Sequence, residues 1–274
     1  MAAAATTIIV LAAGAGAGVL GALLGIGGGI VLVPFLNLVL HFPISESAAI
    51  SLVTVIATSS TVTASRSGAH LVNLRLGMVL EVATAAGSLL GGITAQTLAP
   101  ATIQRLFAIV AIIVSVLMTL RLNVRNVLSA DADPGALGGR YHEDESGGVV
   151  SYRVKRLPVA LAASFVAGNV SSLLGVGGGV IKVPALNAWC GVPLRAAAAT
   201  SAFMIGVTAT AGAVIYFGHG LLPIVPAAAA VLGVQVGSRI ALTFSARVSA
   251  KWLKALMAGV LFVVAILMFL RAGL

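Results

Sequence analysis

The sequence predicts an all-α polytopic membrane protein. It is built from two homologous, inverted repeats, each combining a Gly-Pro broken or re-entrant segment with three transmembrane helices. Three observations predict this. First, 59% of the 274 residues are hydrophobic and 8% are charged, more apolar surface than a soluble fold of this length can bury, so lipid must be the solvent. Second, residues 23–37 read LLGIGGGIVLVPFLN and residues 173–187 read LLGVGGGVIKVPALN. A Gly-rich, Pro-containing interruption at matching places in two apolar halves points to a membrane binding site built from discontinuous helices. Third, the cations fall between apolar blocks, where they set orientation.

Each apolar block needs about 20 residues to span the hydrocarbon. The first repeat, 1–121, reads as a broken segment at 6–40 followed by spans near 47–65, 76–98 and 103–121. A polar linker at 122–156 carries most of the acids. The second repeat, 157–274, reads as a broken segment at 157–190 and spans near 196–217, 221–243 and 252–271. The duplication extends beyond the motif: Pro43 matches Pro193, Ser51 matches Ser201, LMTLR at 117–121 matches LMFLR at 267–271, and Gly87 and Gly91 match Gly233 and Gly237 after a shift. The linker reads as solvated rather than as a domain.

Orientation follows from the cations. If each half crosses an even number of times, Lys and Arg divide almost evenly between the two sides. If the broken segments enter and return, each half crosses three times and the halves are inverted. One side then collects Arg66, Arg75, Arg121, Arg125, Arg140, Arg153, Lys155, Arg156, Arg195, Arg239, Arg247, Lys251 and Lys254, against Arg105 and Arg271 on the other. The second division is far sharper. It places the linker in the cytoplasm and both termini outside a cytoplasmic (inner) membrane, crossed several times. The N-terminus, MAAAATTIIV, lacks the basic region of a cleaved signal peptide.

Composition also excludes. The net charge of +9 comes without aromatic-basic interleaving, which argues against nucleic acid. Cys190 is the single cysteine, so no intrachain disulfide or cysteine metal cluster forms. His41, His70, His142 and His219 have no carboxylate partner at motif spacing, which argues against an enzyme. No cofactor and no metal are expected.

The motif carries the chemistry. Gly27, Gly28 and Gly29, and Gly177, Gly178 and Gly179, each weaken a helix by about 1 kcal/mol. Pro34 and Pro184 remove a backbone donor. Lipid satisfies none of the freed groups, so such backbone packs in protein or lines an aqueous cavity. A half-helix starting after the glycines aims its amides and dipole at the break, favouring an anion. The competing reading is close helix packing through small residues. Asn37 and Asn187 stand just past the prolines and each offers two donors to an oxyanion, or an interhelical bond. Lys182, opposite Leu32 in the repeat, is a cation inside an apolar segment; it attracts an anion or snorkels to the interface. Ser51 and Ser201 are the hydroxyls that the repeat places equivalently. Ser and Thr elsewhere in these blocks are expected to bond back to their own helices. Glu81, the one acid well inside an expected span, is a proton-coupling candidate, with Arg75 as a competing surface partner.

The two G-x-GGG-x-x-x-VP-x-L-N segments, one near the start of each half, resemble those of the TauE/SafE family of sulfite exporters. The resemblance covers nearly the whole chain except the linker. It implies a secondary transporter that exports a small sulfur-containing anion, such as sulfite or an organosulfonate like sulfoacetate, by alternating access. Membrane potential or protons would supply the driving force. Alternatives are an anion channel and a permease of the same fold importing a different small anion. The expected partners are the small sulfur oxyanion or organosulfonate and the lipid bilayer, with a homodimer as a candidate assembly.

Overall fold

The computed structural model describes residues 2–24, 27–65, 71–120, 133–143, 148–244, 259 and 262–270. Its helices in the first half are α1 (Ala2–Leu24), α2 (Gly29–Pro34, continued by a π turn over Phe35–Val39), α3 (Ile44–Thr63), α4 (Leu74–Thr97) and α5 (Pro100–Leu120). A hairpin follows, β1 (Gly139–Glu143) and β2 (Gly148–Tyr152). The second half holds α6 (Leu157–Leu174), α7 (Gly179–Ala188), α8 (Leu194–Gly218), α9 (Ile224–Phe244) and α10 (262–270). Among the described residues five helices, α1, α4, α6, α8 and α9, are long and apolar enough to cross a membrane. α3 is as long but rich in hydroxyls. The last expected span, 252–271, lies mostly outside the described residues, as do Arg66, Arg121, Arg125, Arg247, Lys251, Lys254 and Arg271.

Both expected broken segments are broken. α1 ends at Leu24 and α2 begins at Gly29; α6 ends at Leu174 and α7 begins at Gly179. After each break the chain turns back along the helix it has just left. Gly28 packs on Ala17, and Gly178 packs on Ala167 and Ser171. In the second half the return reaches the level of entry, because the Lys155 N–H donates to the Cys190 carbonyl at 2.8 Å. The exits are alike. Phe42 N–H donates to the Leu36 carbonyl and Val192 N–H to the Leu186 carbonyl, both at 3.0 Å. Pro43 and Pro193 then cap α3 and α8 with the same extended backbone.

The halves pack by exchange rather than side by side. α1 lies along α9, where Gly233 and Gly237 leave room for the backbone of Leu11 and Ala15. α6 lies along α4, where Gly87 and Gly91 do the same for Phe165 and Asn169. Small residues let the backbones approach, the usual device where lipid gives helices no hydrophobic reason to associate. α3 and α8 cross antiparallel at the centre: Ser59 Oγ donates to the Ala202 carbonyl at 2.5 Å, while Leu52 meets Gly212.

Within the stretch read from sequence as a solvated linker, β1 and β2 pair antiparallel, with Tyr141 opposite Val150. Tyr141, Val150 and Tyr152 are buried against Leu76 of α4, Leu186 of α7 and Ala197 of α8. Asn73 ties the hairpin down. Its Nδ2 donates to the Tyr152 hydroxyl at 3.0 Å and to the Leu137 carbonyl at 2.9 Å, and its Oδ1 caps α4 by accepting from Leu76 N–H. Burial pushes the Tyr152 hydroxyl above its ordinary range, and the Asn73 bond partly opposes the shift. Exposed Arg75, Arg140, Arg153, Lys155, Arg156 and Arg195 gather at this end of the molecule.

Tyr152 is 2% exposed, so Tyr152→Ala removes an aromatic anchor and orphans one Asn73 donor. Core truncations of this size cost about 3–5 kcal/mol. Limited proteolysis should cut the 133–152 region much faster in the variant, with the helices intact; cutting at the wild-type rate would show that the hairpin is not held by this contact.

Candidate functional site

The two breaks meet. A Cβ on Gly29 would collide with the Gly175 carbonyl oxygen and with Ser51 Oγ, so this approach requires glycine. Ser51 Oγ donates to that same carbonyl at 2.5 Å, satisfying an acceptor freed where α6 ends. On the other side of the contact, Gly177 and Gly178 adopt positive φ of 82° and 65°, conformations that residues with a Cβ adopt at a cost. Gly178 then opens α7 by accepting from the Ile181 and Lys182 N–H groups.

Lys182 sits one turn into α7. It is 1% exposed and does not snorkel. Its Nζ donates to Thr208 Oγ1 of α8 at 3.2 Å, and the Thr208 hydroxyl lies 2.9 Å from Glu81 Oε1 of α4. Three helices thus converge on one polar chain, ammonium to hydroxyl to carboxylate. Glu81 lies roughly 10 Å into α4 at 1.5 Å per residue. Arg75, its surface alternative, is exposed at the helix start, whereas Glu81 turns inward. Glu81 Oε2 is buried and has no partner. The carboxylate also lines a groove of about 340 Å³ between α4 and α8, with Met78, Val82, Ala85, Phe203 and Val207.

The remaining sequence candidates divide. Asn37 Nδ2 donates to the Phe42 carbonyl at 2.8 Å, and its Oδ1 accepts from Gln104 Nε2 at 3.0 Å. Asn187 Nδ2 donates to the Val192 carbonyl at 2.9 Å. Each asparagine therefore braces the loop that leaves its half-helix. Pro34 is buried and precedes the π turn; Pro184 lies inside α7 without breaking it. Ser201 is buried with an unpartnered Oγ, where its repeat mate Ser51 is bonded. Sequence reasoning missed two groups. Thr208 was hidden among hydroxyls expected to bond back, which it also does, to the Met204 carbonyl at 3.0 Å. Ser171, buried beside Gly178 with its hydroxyl unpartnered, carried no signal in the sequence. Ser88, in contact with Ser172 Oγ, fixes the Thr208 carbonyl at 2.6 Å. Among the described residues no group of three or more His, Cys, Asp or Glu side chains is arranged to hold a metal.

A helical membrane protein whose chain breaks meet beside a buried, bridged lysine is of the membrane-transporter class. Residues 10–268 match the family model described as sulfite exporter TauE/SafE, and the chain belongs to that family. It is similar to the probable membrane transporter protein YunE of Bacillus subtilis, 28% identical over 264 residues that cover 94% of this chain and 95% of that protein. No solved structure matches the chain.

The contact between breaks is testable with an internal control. Gly29→Ala should destabilise the folded protein by about 1–3 kcal/mol through overpacking. Gly16→Ala meets nothing within 4 Å and should leave stability unchanged or slightly raised. Thermal unfolding in detergent compares them; equal melting of the two variants would contradict the contact.

Proposed function

We propose that this protein exports a small sulfur-containing anion, sulfite or an organosulfonate such as sulfoacetate, across the cytoplasmic membrane by alternating access. The observation that carries the reading is Lys182. A fully buried ammonium one turn inside the half-helix that starts at the second break is costly to maintain and suits an anion. The family description supplies the sulfur chemistry. Gly177, Gly178 and Gly179 open a helix whose N-terminal dipole adds to the attraction, and Gly27, Gly28 and Gly29 form the break that faces them. Ser171 and Ser201 hold hydroxyls free to donate. Asn187 keeps α7 in place at its far end, and Asn37 does the same for α2.

The two halves are inverted repeats in this reading, each with a re-entrant hairpin. The antiparallel crossing of α3 and α8 and the exchange of α1 and α6 support it, since equivalent helices running oppositely place the relating axis in the membrane plane. The cation-rich end that carries the β-hairpin faces the cytoplasm. Both termini lie outside. Transport proceeds by one repeat rocking against the other around the breaks, without covalent chemistry.

Purified protein in liposomes loaded with labelled sulfite or sulfoacetate tests the reading. Saturable efflux is expected, reduced at least about tenfold in Lys182→Leu, the loss of one charge-assisted interaction in a buried site. Asn187→Ala should lower the rate less, through loosening of α7. Saturable transport of another solute with no sulfur anion moving would overturn the substrate; unchanged flux in Lys182→Leu would overturn the site.

A further inference from the structure

The repeat provides its own comparison for the polar chain. The positions matching Lys182 and Thr208 are Leu32 and Thr58 in the first half, and the position matching Glu81 is Ala227 on α9 of the second. Thr58 makes a single hydroxyl bond, to the Thr54 carbonyl at 2.9 Å, as Thr208 does to Met204. The back-bond is therefore the resting position of this threonine in the fold. What the site around Thr208 adds is an ammonium from its own half and a carboxylate from α4 of the other, both reaching the same hydroxyl. That hydroxyl has one hydrogen and two acceptors at nearly equal distance, Glu81 Oε1 at 2.9 Å and the Met204 carbonyl at 3.0 Å.

Resting on the anion-transport reading, we propose that the site moves a monoanion only together with a proton on Glu81, with Thr208 as the switch that hands Lys182 from the carboxylate to the anion. With Glu81 ionised, Thr208 donates to Oε1 and accepts from Lys182, so the empty site holds one ammonium and one carboxylate and is neutral. When Glu81 takes a proton from water, its new O–H donates to Thr208 Oγ1, and the threonine hydrogen turns to Met204. Lys182 is left without a counter-charge and takes the anion. The loaded site is neutral again. The two remaining states, protonated and empty or ionised and loaded, bury a net charge in apolar surroundings, which is strongly unfavourable. Only neutral states cross between the two faces.

Among the other titratable groups on the packed helices, Glu46 sits in the first turn of α3 and Arg105 is exposed on α5. α6 has none, α7 has only Lys182, and α8 has Arg195, exposed at its start, and Tyr216, whose hydroxyl donates to the Ser172 carbonyl at 3.0 Å. Arg75 on α4 is exposed. Tyr141 and Tyr152 of the hairpin pack on the neighbouring Leu80 and Val183, with Asn73 bound to the Tyr152 hydroxyl. The preferred cargo is consequently a singly charged oxyanion, hydrogensulfite or a monosulfonate, and the proposed sulfur cargo narrows to these over sulfite dianion and doubly charged sulfoacetate. The cycle is electroneutral: anion and proton cross in the same direction, so export follows the outward gradient of the anion and is not driven by membrane potential.

The test uses the full protein in liposomes with a reporter of internal pH, screening ethanesulfonate, hydrogensulfite, sulfate, acetate and chloride. Ethanesulfonate keeps its charge at all working pH values. Wild type should move about one proton with each anion, by the linkage of a single site, at a rate that an imposed potential does not change. Glu81→Gln imitates the protonated residue. It should retain anion-for-anion exchange while net flux falls at least about tenfold, because its empty site is charged. Thr208→Val should lose proton coupling, and Thr208→Ser, which keeps the hydroxyl, should restore about one proton per anion. Electrogenic anion flux in wild type, or net flux retained in Glu81→Gln, would overturn the proposal and leave the sulfur-anion reading standing. Proton-coupled flux confined to acetate or chloride would support the coupling and overturn the sulfur cargo. A protein that moves no anion would overturn both.

Discussion

Interrupting a helix inside an apolar protein frees backbone groups that lipid will not satisfy, and in this molecule the two interruptions lie against each other. Gly29 lies against the carbonyl of Gly175, and Ser51, from the helix that follows the first break, bonds the same oxygen. The remaining architecture serves this contact. α3 and α8 cross antiparallel so that each carries its hydroxyls toward the opposite half, and α1 and α6 are exchanged so that each hairpin is clamped by a helix of the other repeat. A side chain at Gly29 would push the first break off Gly175 and Ser51, and one at Gly175 would push the second break off Ala48 of α3.

On this near-symmetric scaffold the charges are asymmetric. One half carries Lys182 and is faced by Glu81; the other carries Leu32 and is faced by Ala227. Thr58 and Thr208 are the common element, each bonded to the carbonyl one turn earlier. In the proposed cycle, exchange of the halves gives two equivalent states that share one cargo-binding centre. The reading of Lys182 as anion-binding and the neutrality of its complex with Glu81 both follow from burial, since a charge at 1% exposure needs a partner in every state it occupies.

What was legible in the sequence was local or repeated. Three glycines and a proline announce a break by their own conformational properties, and their recurrence announced the duplication; both breaks fall where the motif places them. Lys182 and Glu81 were visible singly, as charges in apolar segments. Their union was not, because it depends on α4, α7 and α8 converging, with Glu81 and Thr208 separated by 127 residues. Thr208 had no mark to tell it from hydroxyls that merely bond back. Asn37 and Asn187 were recognisable as equivalent, but the direction of a carboxamide is set by the loop it meets. The hairpin escaped because Tyr141, Val150 and Tyr152 are few apolar residues within a run of charges, and their partner surface on α4, α7 and α8 exists only after folding.

The central claim is that equivalent hairpins enter from opposite faces and meet at their breaks. Val39 and Trp189, repeat mates at the hairpin exits, are 57% and 51% exposed. Single cysteines at these positions, with Cys190 changed to Ala, can be labelled by a membrane-impermeant maleimide on intact cells and on inverted vesicles. The account predicts that Val39→Cys reacts only from outside and Trp189→Cys only from the cytoplasmic face. Reaction of both from the same face would contradict it.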